Sequence, residues 1–115
     1  RTAGSVRLAH LIDQVRRRLE QPHTLDSLAE DAKMSRRSFT RHFKALTGTS
    51  VQSWLLAERL AFSQRLLEST DHSVEKVGDM AGFGSVVSLR LHFRRAFGVS
   101  PTAWRRSFGG PLSSA

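Results

Sequence analysis

Cysteine is absent from this 115-residue chain. That excludes a disulfide framework, a thiolate metal site and a cysteine nucleophile, and it fits a reducing, cytoplasmic setting. Long apolar runs are missing as well. Nowhere does the sequence reach the roughly 18 consecutive apolar residues that mark a transmembrane helix. The first residues lack the apolar segment of a signal peptide, so no membrane partner is expected. The chain begins with Arg1 and not Met, and on that ground it is read as a fragment of a longer protein.

Acidic residues are missing from two long stretches. There is no Asp or Glu between Asp31 and Glu58, and none after Asp79. The first gap holds Lys33, Arg36, Arg37, Arg41 and Lys44; the second holds Arg90, Arg94, Arg95, Arg105 and Arg106. The formal net charge is +8 and the pI is about 11.6. A small basic domain generally has an anionic partner, either nucleic acid or an anionic surface. Here the charge falls in two separate zones of a chain long enough for one domain or two very small ones.

What the sequence does contain is a duplication. Thr24-Leu25-x-x-Leu28-Ala29-x-x-Ala32-x-Met34 returns 49 residues later as Ser73-Val74-x-x-Val77-Gly78-x-x-Ala81-x-Phe83. Phe39, His42-Phe43, Gly48, Ser50 and Trp54 then return 50 residues later as Leu89, His92-Phe93, Gly98, Ser100 and Trp104. One residue has therefore been added in the turn between the two matching blocks. A single repeat is too short for a solenoid, and a duplicated two-helix unit is the better reading.

Each copy reads as helix, tight turn, helix. Thr24 and Ser35 can cap the two helices of the first, with Leu25, Leu28, Ala29 and Ala32 and then Phe39, Phe43 and Leu46 as apolar stripes. Ser73 caps the second copy, Val74, Val77 and Ala81 form its first stripe, and Gly82-Phe83-Gly84 makes the turn. Leu89, Phe93, Ala96 and Phe97 are expected to face inward. Gly48 and Gly98 stop the second helices. Three further helices complete the set. "VRLAHLIDQVRRRLE" places Leu8, Leu11, Ile12, Val15 and Leu19 on one face. A long helix from Ser50 to about Ser69 has Trp54, Leu55, Ala61, Phe62 and Leu66 as anchors. Ser100 and Pro101 open the last, proline being well suited to the first helical position. With no convincing strand pattern, the fold class is all-α: seven helices, with two helix-turn-helix subdomains at 5–49 and 70–108. A linker helix at 50–69 joins them, and a disordered tail is expected at 109–115.

At 100° per residue the stripes leave a free face on each second helix. Arg37, Thr40, Arg41 and Lys44 point outward in the first copy, and Val87, Arg90, Leu91 and Arg94 in the second. The frame is repeated while the exposed chemistry differs, as expected of two readers of two different DNA segments. A major groove admits one α-helix, arginine bonds bidentately to guanine, and valine or leucine can pack on a thymine methyl. Flanking cations would bind phosphates, giving affinity and salt dependence without sequence information. The linker helix spans roughly 27 Å at 1.5 Å per residue, against roughly 34 Å between half-sites one turn apart. Copies running in the same direction predict an asymmetric site of about 20 base pairs.

The chain resembles the DNA-binding domain of the AraC/XylS family of bacterial transcription regulators from about Leu8 to Phe108. The residues that carry the likeness are "LAEDAKMSRRSFTRHFKALTG", "WLLAERLAFSQRLLE" and above all "VGDMAGFGSVVSLRLHFRRAFGVSPTAWRR". The resemblance implies seven helices and two helix-turn-helix subdomains. It also implies base contacts from the third and sixth helices, here Arg36, Arg37, Thr40 and Arg41, then Val86, Val87, Arg90 and Leu91. Lys44, Arg94, Arg95, His42 and His92 are read as phosphate contacts. RNA polymerase and an N-terminal sensor or dimerisation domain are the implied protein partners. "KMS", "WLLAERL" and "RLLESTD" are further similar to members whose N-terminal part is a DJ-1/PfpI-like sensor domain. The sequence departs from the family pattern in three places. Ser50-Val51 replaces a common Ser-Pro, Gly78 replaces a usual alanine, and Leu91 is apolar where a polar contact residue is common.

Other chemistries find little support. His42 and His92 occupy equivalent places, but no Cys or paired carboxylate accompanies them as a metal site would require. Gly78, Gly82 and Gly84 fit no nucleotide-binding loop. No Ser/His/Asp arrangement has a motif around it, so neither an enzyme nor a cofactor is expected. A helical protein-interaction module with only non-specific DNA affinity is the alternative, and Val87 and Leu91 are then a protein-contact patch instead of thymine readers.

Overall fold

A computed structural model describes residues 2–109; the segment 110–115, most of the tail expected to be disordered, lies outside the described residues. Among those residues the chain is all-α: α1 (Thr2–Arg16), α2 (Leu25–Asp31), α3 (Arg36–Thr47), α4 (Val51–Ser69), α5 (Val74–Ala81), α6 (Val86–Phe97) and α7 (Pro101–Phe108). The described residues form two compact units, divided between Glu58 and Arg59, with α4 contributing its first turns to one and its later turns to the other.

Helix starts follow directly from the hydroxyl residues. Thr24 accepts from the Ser27 N–H, Ser35 from Ser38, Ser73 from Lys76, Ser85 from Ser88 and Ser100 from Ala103. Each bond satisfies one of the amide groups a helix start leaves without a partner, worth about 1 kcal/mol. Pro101 sits in the first turn of α7.

The two helix-turn-helix turns are built alike. The Met34 N–H donates to the Ala29 carbonyl at 2.9 Å and Lys33 N–H to Glu30 at 3.0 Å; Phe83 N–H donates to Gly78 at 2.9 Å and Gly82 N–H to Asp79 at 3.2 Å. This pair of bonds is a Schellman closure, which needs a left-handed residue at its centre. The second copy uses Gly82 at φ 88°, whereas the first places Lys33 there at φ 57°. The residue that changes the repeat offset is Gly84, also left-handed at φ 78°. It lengthens the second turn before the Ser85 cap.

Unit 1 buries Leu8, Leu11, Ile12, Val15 and Leu19 together with Leu28, Ala29, Phe39 and Phe43, α3 packing on both α1 and α2. Phe43 meets Trp54 edge-on at 5.6 Å and 80°, and the Arg16 guanidinium lies over that indole while pairing with Glu58 at 3.2 Å. Unit 2 repeats the aromatic contact 50 residues on, Phe93 meeting Trp104 at 5.8 Å and 80°. Trp104 also donates through Nε1 to Glu68 at 2.9 Å. Arg105 donates to the Leu67 and Thr70 carbonyls at the end of α4, so this cation of the second acid-free stretch is held inside the fold.

Four expectations about packing are corrected. The first helix ends at Arg16, short of Leu19; Arg17 and Arg18 donate to carbonyls three residues back, and this tighter turn still delivers Leu19 to the core. Leu46 and its equivalent Ala96 are exposed, because they lie in the last turns of α3 and α6, where the right angle around the helix no longer meets a neighbour. In α4, Leu60, Ser63 and Leu67 are buried while Ala61 and Phe62 are only half-buried. That helix serves two units and carries no single apolar stripe; Ser63 resolves its burial by donating to the Arg59 carbonyl at 2.9 Å. Phe97 and Trp104, the repeat's counterpart of buried Trp54, are half-buried, although their rings pack at 5.3 Å, tilted by 40°.

Gly78 is buried within α5, and a Cβ there would meet Leu89 and the Ser85 carbonyl at 3.6 Å, ordinary van der Waals distance. Gly78→Ala is therefore expected to stabilise unit 2 by about 1 kcal/mol through helix propensity. Thermal denaturation should show its midpoint rise by about 4–8 °C. A lowered midpoint would mean that α5 and α6 require closer approach than this geometry indicates.

Candidate nucleic-acid interface

α3 carries the first basic zone. Its inward side is fixed by Phe39 and Phe43, both fully buried, and this rotation leaves Arg36, Arg37, Thr40, Arg41 and Lys44 exposed on the other side. With Leu25 and Ala45 these five line an open depression of about 540 Å³. The walls are largely the aliphatic stems of the cations, with the charged ends in solvent, as long basic side chains prefer. No acid lies within α3.

α6 is rotated in the same way by Leu89 and Phe93, neither of which reaches solvent. Val87, Arg90, Leu91, Arg94 and Arg95 are exposed, while Val86 is half-buried. Of the residues expected to read bases, Val86 thus offers the least free surface. Val87 and Leu91 are 70% and 46% exposed, high values for apolar side chains of a folded unit.

Both histidines are half-buried on the flanks of these helices. His42 Nδ1 lies 2.8 Å from the Ser38 carbonyl and donates to it. His92 stacks on Phe83 at 6.1 Å. Among the described residues no group of three or more His, Asp or Glu is placed to hold a metal ion, and no helix is long and apolar enough to cross a membrane.

Two acids reach the basic faces, and sequence reasoning missed both. Asp26 Oδ1 lies 2.9 Å from Arg36 Nε, and Glu75 Oε2 lies 3.9 Å from Arg90 Nη2. Each acid sits in the first turn of the helix preceding its recognition helix, where it also complements the helix dipole. The signal was present, since Glu75 stands 49 residues after Asp26, the offset of the first repeat block. Both pairs are solvent-exposed and contribute little to stability; what they do is bias the direction of the guanidinium groups.

The chain is similar to known proteins over most of its length. A family model described as a helix-turn-helix domain matches residues 28–107. The transcriptional activator NphR of a Rhodococcus species is 40% identical over 83 residues, covering 72% of this chain and 24% of that protein. The HTH-type transcriptional regulator MtrA of Neisseria gonorrhoeae is 34% identical over 103 residues, covering 90% of this chain and 34% of that protein. The chain thus spans about a quarter to a third of the length of these curated relatives. Among solved structures, the DNA-binding domain of AdpA in complex with a target DNA superimposes with a TM-score of 0.85 at 42% identity, covering 88% of this chain and 91% of that one. An AraC-type transcriptional regulator from Chromobacterium violaceum gives 0.81 at 26% identity, covering 96% and 99%. The helix-turn-helix model over residues 28–107, together with the likeness to AraC-type DNA-binding domains along most of the chain, places this protein in the AraC/XylS family, as the family's DNA-binding domain.

Proposed function

We propose that this chain binds double-stranded promoter DNA sequence-specifically and so regulates transcription, with α3 and α6 entering successive major grooves of one asymmetric site. The observation that carries the proposal is the repeated frame: two second helices anchored by the same aromatic contact, each turning an exposed basic face outward. The AdpA domain, similar over nearly its whole length, was solved with its target DNA.

In this reading Arg36, Arg37, Thr40 and Arg41 contact bases in one groove, and Val86, Val87, Arg90 and Leu91 in the next. Lys44, Arg94, Arg95, His42 and His92 contact phosphates. Arginine on guanine discriminates by about 1–3 kcal/mol per bidentate pair, whereas phosphate contacts set register and affinity. Asp26 holds Arg36 through Nε, which leaves both terminal nitrogens of that side chain for a base edge. RNA polymerase and a sensor or dimerisation domain outside this chain are the protein partners that regulation requires.

The test is a competition between base-substituted DNA probes. Arg37→Ala is expected to relax preference at one base position in the first half of the site by about 1–3 kcal/mol, leaving the other half unchanged. Equal weakening on every sequence would instead seat Arg37 on phosphate, and a protein for which no selected DNA outcompetes random DNA would overturn sequence-specific reading altogether.

A further inference from the structure

The two recognition faces share a frame but not a chemistry. Where α3 shows Arg37 and Arg41, α6 shows Val87 and Leu91 at the equivalent positions 50 residues on. We propose that this apolar pair reads thymine methyl groups, so that one half of the site is specified by guanine and the other by the C5 methyls of thymine. The inference rests on the DNA-binding reading above and adds the chemical class of base that α6 takes.

Three features of unit 2 carry it. Val87 and Leu91 are one helical turn apart, about 6 Å along the axis, or about two base steps at 3.4 Å. They lie in the first two turns of α6, just after the Ser85 cap, the part of a recognition helix that meets base edges. They are also framed by cations, with exposed Arg90 and Arg94 on the same face, exposed Arg95 beside them, and no acid in the chain after Asp79. Val87 and Leu91 are themselves 70% and 46% exposed, so the apolar pair is open to a partner surface.

The choice of DNA over a protein partner follows from that framing. A protein covering Val87 and Leu91 would have to bring anions to Arg90, Arg94 and Arg95 at the same time. A major groove supplies both from one surface, with methyls on its floor and phosphates along its walls. Arginine at these positions, as in α3, would seek guanine acceptors; valine and leucine have no hydrogen bond to make and gain only by covering an apolar group.

The first arm of the experiment leaves the α6 face unmutated. A site is selected from random DNA with the 115-residue chain, and the half whose preferences survive Arg37→Ala is assigned to α6. Each thymine there is then replaced by deoxyuridine, which removes the methyl and keeps base pairing and the O4 acceptor. Affinity is expected to fall about fourfold for each methyl that is covered, and about fifteenfold for two. In the second arm the Val87→Ala/Leu91→Ala double variant, its fold checked by circular dichroism, should bind thymine and uracil probes equally.

Two results would overturn the proposal. One is a selected site that still outcompetes random DNA but is indifferent to uracil throughout the α6 half. The other is a double variant that keeps the full thymine preference; either result would assign the pair to a protein partner. Failure to select any site is a different outcome: it removes the parent reading of sequence-specific binding and the methyl reading with it.

Discussion

Phe93→Ala is expected to destabilise unit 2 by about 3–5 kcal/mol and to abolish DNA binding by unfolding α6, not by removing a contact. The side chain is fully buried, and its ring packs on Phe97 at 4.7 Å and on Trp104 at 5.8 Å. Truncation leaves a ring-sized void between α6 and α7 and takes away the surface on which Trp104 is seated. Against a total stability of about 5–15 kcal/mol, such a loss populates the unfolded unit. The two tryptophans allow a unit-by-unit measurement: Trp104 reports on unit 2 and Trp54 on unit 1. Denaturant titration of the variant should move the Trp104 transition far to lower concentration. A variant that keeps the wild-type Trp104 transition would show that Phe93 does not anchor α6. Core aromatics are for this reason poor probes of DNA recognition, and the exposed arginines are the informative ones.

Raising salt from 50 to 200 mM should weaken binding by about fortyfold. Three cations of the exposed faces are assigned to phosphates in this reading: Lys44, Arg94 and Arg95. Each cation seated among phosphates releases condensed counterions, giving a slope of log K against log salt of about −0.9 per contact. Three contacts give about −2.7, hence a fall of about fortyfold over a fourfold change in salt. Arg94→Ala should reduce the magnitude of the slope by about 1 while leaving base preference unchanged. Binding titrations at five or six salt concentrations measure both. A slope near zero would mean that the basic faces do not approach phosphates.

The fold was legible in the sequence wherever a local rule decided the structure. Thr24, Ser35, Ser73 and Ser100 cap as their chemistry dictates, and the change of repeat offset from 49 to 50 marks Gly84, whose positive φ lengthens one turn. What stayed hidden depended on neighbours. A helical wheel gives the angle of Leu46 but not whether a packed helix extends as far as the last turn of α3, and Leu46 is 48% exposed. The buried side of α4 does not follow from a single apolar stripe, because two units draw on it. Lys33 in a left-handed turn could not be expected from its residue type, since only the closure that Gly82 makes easily in the other copy shows what the position demands.

The proposed interface was legible in the same uneven way. The rotation of α3 and α6 follows from Phe39, Phe43, Leu89 and Phe93, so the exposed cations could be named in advance. The acids that direct two of them, Asp26 and Glu75, belong to the preceding helices; periodicity within one helix says nothing about a partner on another, although the repeat itself aligned the two.

Selection of binding sites from random DNA with this chain tests the central claim most directly. The account predicts enrichment of one asymmetric motif of about 20 base pairs, with guanines that respond to Arg37→Ala in one half and thymines in the other. A final pool that binds no better than the starting pool, or one that converges on a palindrome, would contradict it.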